Sequence, residues 1–223
     1  MGALLTVYPG TAANAPERRA QPPERQGRRS DPATLARAVE TRLGAVRGLT
    51  ARFTQTLESV ALPSAQREEG IVYLQRPGRM RWEYREPAGK LAVVDGERSW
   101  LYLPEDRQVL VTPIAGLGRD QGVGLLLADR LDLLAEFEPV WGEARGEGGV
   151  RPLVLRPRAP AGAYDRLAIE PDATGFPTSI TIFDPLGGSV TYRFTDLRFV
   201  ETLDPALFRF VPPAGVAVQD LDP

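Results

Sequence analysis

The sequence predicts a mainly β protein in which about eleven antiparallel strands form a single curved sheet closing toward a barrel, with an N-terminal helix and one short covering helix. Apolar and polar residues alternate with a period of two along most of the chain after residue 49, as is typical of strands with one buried face. The 22 Gly and 21 Pro residues supply frequent turns. No helices of βαβ spacing separate the strands, so successive strands are expected to pair in chain order.

Residues 1–30 do not have the composition of a folded domain. The apolar run Gly2–Tyr8 is short, and Ala13-Asn14-Ala15 has the small-x-small form of a signal-peptidase site, although Pro16 follows it. The rest of the segment carries five arginines among Pro, Gln and Glu, a composition that does not bury a core. We interpret the segment as a leader and linker, either a signal-peptide remnant or a disordered tail. The predicted organisation is a leader over 1–30, one folded domain over 31–218 and a C-terminal tail over 219–223.

The folded part opens with a predicted helix. Asp31 is placed to cap its N-terminus, and Pro32 suits the first helical position because no N–H is needed there. Gly48 is placed to end the helix. Apolar residues recur between them at helical spacing, at Leu35, Val39, Leu43 and Val46.

The strands follow from the alternation. Met80, Trp82 and Tyr84 point to one side while charged residues point to the other, which makes this the clearest strand in the chain. Asp95-Gly96 is a typical two-residue turn that joins its flanking strands into a hairpin. The strands are predicted over 49–58, 70–76, 79–85, 91–94, 99–103, 108–112, 136–140, 151–156, 164–170, 178–184 and 189–196.

One segment departs from the strand pattern. Pro113–Gly124 is rich in glycine, and six leucines then fall within residues 125–134. A helix there is apolar around most of its circumference, so it requires cover on more than one side. Two interpretations stay open. Either the glycines let this helix move as a lid, or it is a fixed core helix that closes the open side of the sheet.

The composition excludes most catalytic and metal-binding chemistry. The chain has no histidine and no cysteine, which removes the commonest general base, thiol nucleophiles and the usual transition-metal ligands. It has no Gly-x-Ser-x-Gly motif. The net charge of −2 and the pI of about 5.4 give no basic field for nucleic acid. We therefore predict no enzyme activity, no cofactor, no metal site and no nucleic-acid partner.

Several motifs match the pattern of a known family, in order and at compatible spacing. They are Phe53-Thr54-Gln55, the strand-opening Gly70, Arg76-Pro77 before a turn, Trp82, Glu86-Pro87, Asp95-Gly96, Trp100-Leu101-Tyr102-Leu103-Pro104 and Phe208-Arg209-Phe210-Val211-Pro212-Pro213-Ala214-Gly215-Val216. By these motifs the chain resembles the outer-membrane lipoprotein carrier family LolA over roughly residues 33–218.

The resemblance implies an eleven-stranded half-barrel whose helices lid an apolar cavity. It implies a periplasmic carrier that takes acylated lipoproteins from an inner-membrane ABC transporter of the LolCDE type to an outer-membrane acceptor of the LolB type, and we expect it to act as a monomer. An acceptor of that kind has a lipidated cysteine, so the absence of cysteine favours the carrier. A half-barrel that senses lipoproteins or carries another lipid is the alternative.

The resemblance also assigns roles to residues. Arg76 aligns with the family arginine that tethers the closed lid through hydrogen bonds to its backbone, a role that suits the five donors of a guanidinium. The other expected site residues line the apolar cavity and its mouth: Phe53, Leu57, Met80, Trp82, Tyr84, Val93, Trp100, Tyr102, Leu126, Leu127 and Leu131.

Overall fold

The computed structural model describes residues 31–86, 88–114, 132–144, 151–160 and 164–221. Within these ranges it consists of two α-helices, one 3-10 helix and twelve strands. The helices are α1 (Pro32–Gly44), α2 (Leu133–Glu136) and the 3-10 helix (Pro205–Phe208). The strands are β1 (Gly48–Glu58), β2 (Gln66–Gln75), β3 (Arg79–Glu86), β4 (Leu91–Asp95), β5 (Arg98–Leu103), β6 (Gln108–Pro113), β7 (Phe137–Trp141), β8 (Leu153–Pro157), β9 (Arg166–Pro171), β10 (Pro177–Phe183), β11 (Ser189–Val200) and β12 (Ala217–Asp220).

All twelve strands belong to one sheet, which is built from two antiparallel meanders. Strands β1–β6 pair in chain order, and so do β7–β11. The two meanders join through β1 and β11, in a register that runs from Gly48 opposite Val200 to Glu58 opposite Ser189. The predicted single curved sheet is confirmed, with twelve strands rather than about eleven. The expectation that every strand pairs in chain order is wrong at β6 and β7, which are not neighbours.

The additional strand is β12. It pairs in parallel with β6, with Ala217 opposite Gln108 and Asp220 opposite Val111. The predicted boundary between domain and tail at residue 218 therefore falls inside a strand. A run of four residues beside turn-forming Pro and Gly carries too weak an alternation to be recognised as a strand without its partner.

Helix α1 begins as predicted and ends earlier. The Asp31 carboxylate accepts a hydrogen bond from the backbone N–H of Ala33, with Pro32 at the first helical position. The helix ends at Gly44, and Gly48 instead begins β1, where a Cβ atom would lie 2.9 Å from the Val200 side chain. The close approach of β1 and β11 therefore accounts for Gly48. The buried residues of α1 are Ala36, Val39 and Leu43.

The sheet buries side chains on both faces. We call the face that carries Phe53, Met80 and Trp82 the inner face. It forms one continuous apolar core with α1 and Leu133. We call the opposite face the outer face. Across β3–β6 it is covered by the C-terminal segment 201–221. On that side Phe208 is buried, and the ring of Phe210 lies 5.9 Å from that of Trp100 and 6.1 Å from that of Tyr102.

Candidate functional site

The inner face carries an unbroken apolar surface across β1–β4. Residues that are direct cross-strand partners point to the same face, so strand register sorts the side chains into rows. Two neighbouring rows are apolar at every position, and all of their members except Ala92 are buried. The rows are Leu49, Leu74, Met80 and Val94, followed by Ala51, Val72, Trp82 and Ala92.

Aromatic rings cluster around Trp82 at the centre of this surface. The ring of Phe53 lies 4.6 Å from that of Trp82 and 5.0 Å from that of Tyr84, both in edge-to-face geometry. The rings of Tyr192 and Phe194 on β11 lie 5.4 Å and 6.1 Å from that of Trp82. Rings at these distances attract one another beyond their burial in the apolar core. The cluster forms because β11 pairs with β1, which brings two aromatic strands together.

Gly70 makes room for this cluster. It lies opposite Tyr84 at a register shift between β2 and β3. A Cβ atom at this position would overlap the backbone carbonyl of Glu83 and lie 2.9 Å from the ring of Phe53. The absence of a side chain therefore lets β3 approach β2 and lets the Phe53 ring lie over the strand.

Helices α1 and α2 contact each other and β7, and their buried residues belong to the same apolar core as the inner face. Leu133 is buried in the same core as Trp82, and its backbone N–H donates a 2.9 Å hydrogen bond to the carboxylate of Glu40 on α1. Asp132 caps α2 by accepting a hydrogen bond from the N–H of Ala135. The predicted 125–134 helix shares only Leu133 and Leu134 with α2. Asp132 has non-helical backbone angles (φ −130°, ψ 77°) and caps α2, so the expectation that one helix continues through this residue is wrong. Leu126, Leu127 and Leu131 lie outside the described residues.

One end of the inner face is polar. Five side chains lie at the end of the aromatic cluster that is nearer to the β1–β2 turn, and we call them the polar collar: Gln55, Glu68, Tyr84, Lys90 and Tyr192. The hydroxyl of Tyr84 donates a 2.9 Å hydrogen bond to Oε1 of Gln55. The ammonium of Lys90 lies 2.8 Å from each oxygen of the Glu68 carboxylate and 4.2 Å from the centroid of the Tyr84 ring. Three kinds of polar contact therefore converge where the apolar rows end.

Both tyrosine hydroxyls of the polar collar stay neutral at physiological pH. Burial raises the pKa of Tyr192 to about 12, with a further contribution from the Glu68 carboxylate. Burial also raises the pKa of Tyr84, and the neighbouring Tyr192 and Glu68 add to the shift. A neutral phenol both donates and accepts hydrogen bonds, so these groups can bind a polar group of a ligand.

Three of the expected cavity residues lie on the other side of the sheet. Val93 is the direct partner of Trp100, whereas its neighbour Ala92 is the partner of Trp82. Val93, Trp100 and Tyr102 therefore line the outer face beneath the C-terminal segment, and the expectation that they share a surface with Trp82 is wrong. The large aromatic side chains of Trp100 and Tyr102 were expected to line the cavity. The C-terminal Phe-x-Phe motif covers them instead.

Asp95 holds the outer-face hairpin in place. Its carboxylate accepts hydrogen bonds from the backbone N–H groups of Glu97 and Arg98, at 2.8 Å each, and from the indole N–H of Trp100 at 2.9 Å. Burial raises the pKa of this carboxyl, but these hydrogen bonds outweigh that effect and hold the pKa below its ordinary value. The contacts of Trp100 therefore fit a structural role.

Arg76 lies half-buried where the β2–β3 turn meets the start of β1. Its backbone N–H donates to the carbonyl of Arg47 at 2.9 Å, and the Gln75 side chain donates to the carbonyls of both Arg47 and Arg76. These contacts fix the arginine beside the junction of α1 and β1. Of the other expected residues, Phe53, Met80, Trp82 and Tyr84 are brought together, while Leu57 is half-buried beyond the polar collar.

Sequence reasoning did not single out Tyr192, Phe194 or the polar collar as parts of the site. The alternation over residues 189–196 predicts the strand that carries both aromatic residues, but it does not indicate that this strand pairs with β1. Without that pairing, nothing in the sequence indicates that Tyr192 and Phe194 lie beside Phe53. Glu68 and Lys90 likewise meet only through the β2–β3 and β3–β4 pairings.

The described residues present an apolar and aromatic inner face that ends in the polar collar. They contain no cluster of three or more potential metal ligands. Over the same ranges, no helix has the length and apolar character needed to span a bilayer. The inner face can therefore bind an apolar ligand by burial and hold a polar end of that ligand by hydrogen bonds.

Similar proteins are found both by sequence and by fold. The family model described as "Outer membrane lipoprotein carrier protein LolA" matches residues 44–211. An outer-membrane lipoprotein carrier protein of Dechloromonas aromatica is 32% identical over 173 residues, covering 77% of this chain and 81% of that protein. A protein of the same name from Alkalilimnicola ehrlichii is 34% identical over 175 residues, covering 78% of each. A solved structure of a LolA superfamily protein from Nitrosomonas europaea is similar at 12% identity and a TM-score of 0.43, covering 78% of this chain and 97% of that one.

Proposed function

Because the chain belongs to the outer-membrane lipoprotein carrier family LolA, we propose that its inner face binds the acyl chains of lipoproteins while they cross the periplasm. We propose further that it collects them from an inner-membrane ABC transporter of the LolCDE type and delivers them to an outer-membrane acceptor of the LolB type. The observation that carries the proposal is the unbroken apolar and aromatic surface centred on Trp82.

The energetics of burial suit a carrier that also releases its cargo. Burying one methylene contributes about 0.8 kcal/mol, so a fully buried acyl chain contributes on the order of 10 kcal/mol. In the structure this surface is closed, with Trp82 only 6% and Phe53 only 2% exposed. Acyl chains must therefore displace the side chains that cover these rings. The lost contacts offset much of the gain, which leaves a modest net affinity and permits transfer to a tighter acceptor.

The proposal is tested by placing a photo-reactive residue on each face of the sheet. Tyr84 and Tyr102 are both half-buried tyrosines, one on the inner face and one on the outer face. Each is replaced by p-benzoylphenylalanine, and the protein is expressed in the periplasm of cells fed with labelled fatty acid. Irradiation is expected to cross-link acylated protein at position 84 and not at position 102, because only the inner face would contact acyl chains.

Position 102 is the matched control, since both variants exchange one aromatic residue for another. Circular dichroism would check that both variants fold. Equal cross-linking at the two positions, or labelling at 102 alone, would contradict the proposed site. Cross-linking at position 84 to free lipid instead of protein would assign the carrier a different lipid cargo.

We also propose that Arg76 stabilises the closed arrangement. Arg76→Leu removes a half-buried guanidinium beside the junction of α1 and β1. Hydrogen bonds of a charged donor contribute about 1.5–3 kcal/mol each, so the closed state should lose population in this variant. Because closure competes with the ligand for the inner face, release of a bound fluorescent fatty acid should then slow by about tenfold. Stopped-flow transfer to acceptor vesicles measures that rate. Arg79→Leu, at the exposed end of the same turn, is the control and should release the probe at the wild-type rate.

A further inference from the structure

The polar collar combines a charge pair with an unused hydrogen-bond donor. Lys90 is the only lysine in the chain, and its side chain and that of Glu68 are each only 20% exposed. The ammonium contacts both carboxylate oxygens at 2.8 Å, so the pair carries no net charge. A second charge pair on β2 is different, since Glu69 points to the outer face and meets Arg67 at 3.6 Å in a more exposed setting.

The donors of the polar collar are not all used. An ammonium has three N–H groups, and Glu68 occupies two directions around Lys90. The hydroxyl of Tyr192 has no hydrogen-bond partner among the described residues, whereas that of Tyr84 already donates to Gln55. Tyr192 contacts Trp82 and Tyr84 contacts Phe53, so these donors lie at the end of the aromatic cluster. A chain lying along the cluster would bring its polar end to them.

The Lys90–Glu68 pair favours an uncharged polar group of a ligand over an anionic one. A carbonyl oxygen of an ester or amide accepts hydrogen bonds from Tyr192 and Lys90 without bringing a charge to the half-buried site. A phosphate brings a negative charge beside Glu68, whose carboxylate already neutralises the only nearby ammonium. At short range and low exposure, such repulsion exceeds the gain from one further hydrogen bond.

We infer that the polar collar receives the uncharged ester or amide junction of an acylated ligand and that Glu68 excludes anionic phospholipids. This inference rests on the proposed function, because it takes the inner face as the site of the acyl chains. It adds a selectivity determinant, the Lys90–Glu68 pair, that lets the protein reject the anionic lipids of a membrane while accepting an uncharged acyl junction.

The test compares two soluble lipids with the same acyl chains. Dihexanoylglycerol is uncharged and dihexanoylphosphatidylglycerol is anionic, and isothermal titration calorimetry with the whole protein gives both dissociation constants. The wild type is expected to prefer the uncharged lipid. Glu68→Gln should shift the ratio of the two constants toward the anionic lipid by about tenfold, because it leaves the ammonium of Lys90 unneutralised. Glu69→Gln, on the outer face, should leave the ratio within about twofold of wild type.

Lys90→Gln provides a second variant with the opposite expected sign. It leaves the Glu68 carboxylate unpaired, so the ratio should move away from the anionic lipid by about tenfold. Either variant alone tests the inference if the other fails to fold. Tyr192→Phe should weaken binding of the uncharged lipid by about three- to tenfold, since it removes one donor and no charge.

The outcomes separate this inference from the proposed function. Opposite shifts in Glu68→Gln and Lys90→Gln support the polar collar. Binding of both lipids with ratios unchanged in both variants overturns the polar collar and leaves the acyl site in place. If neither lipid binds the wild type, or if only the anionic lipid binds, both the polar collar and the proposed acyl site are overturned.

Discussion

Replacing Trp82 with alanine is expected to lower the free energy of unfolding by about 3–5 kcal/mol. The side chain is buried at the centre of the inner face, where it contacts Phe53, Tyr192 and Phe194. Its removal leaves a cavity that the surrounding strands cannot close, because pairing on both sides fixes their spacing. Urea denaturation followed by far-ultraviolet circular dichroism measures the change.

Trp141→Ala is the matched control for this substitution. Trp141 is half-buried on the edge strand β7, where its ring lies 6.0 Å from the guanidinium of Arg151. Its loss should cost about 1 kcal/mol. Trp82→Phe should lie between the two, because it retains a ring beside Phe53. Equal losses for Trp82→Ala and Trp141→Ala would contradict the central place of Trp82 in the core.

Replacing Phe208 with alanine is the second substitution with a large expected effect, a loss of about 3 kcal/mol. Phe208 is 2% exposed and ends the 3-10 helix that packs on the outer face of β3 and β4. The neighbouring carbonyl of Leu207 accepts a 3.1 Å hydrogen bond from Arg81, which ties the same segment to β3. Loss of Phe208 should also loosen β12, because the chain reaches β6 only after crossing this face.

Hydrogen exchange gives this prediction a local readout. In Phe208→Ala, the amides of β6 and β12 should exchange faster than in the wild type, while those of β9 and β10 should change little. Val211→Ala serves as the control, since Val211 lies in the same segment but is 82% exposed. It should change the free energy of unfolding by less than about 0.5 kcal/mol. If amide exchange becomes equally faster in all strands, the prediction that Phe208 stabilises β6 and β12 locally is wrong.

The local elements of this fold could be predicted because their signals lie within a few residues. Asp31 and Pro32 mark the start of α1 in the sequence and in the structure. The alternation of Met80 and Trp82 predicts both the strand and its buried face. Each of these signals depends on a preference that a short segment expresses by itself.

The long-range arrangement could not be predicted because nothing local specifies it. The pairing of β1 with β11 and of β12 with β6 joins segments that are far apart in the chain. The error over Trp100 and Tyr102 has the same origin. Alternation shows that two aromatic residues share a face, but not whether that face meets α1 or the C-terminal segment. The family resemblance implied a half-barrel, but it did not indicate on which face of the sheet Trp100 and Tyr102 lie.

The pairing of β1 with β11 has a consequence for the order in which the protein can assemble. During synthesis β1–β6 emerge well before β11, so β1 remains an edge strand with a row of unsatisfied backbone groups until residue 200 is available. Such an edge can recruit another chain, and pairings of high sequence separation form slowly. Aggregation should therefore be most pronounced for nascent chains that include β1 and lack β11. The completed sheet avoids this hazard, because its edges are the proline-containing β7 and the four-residue β12.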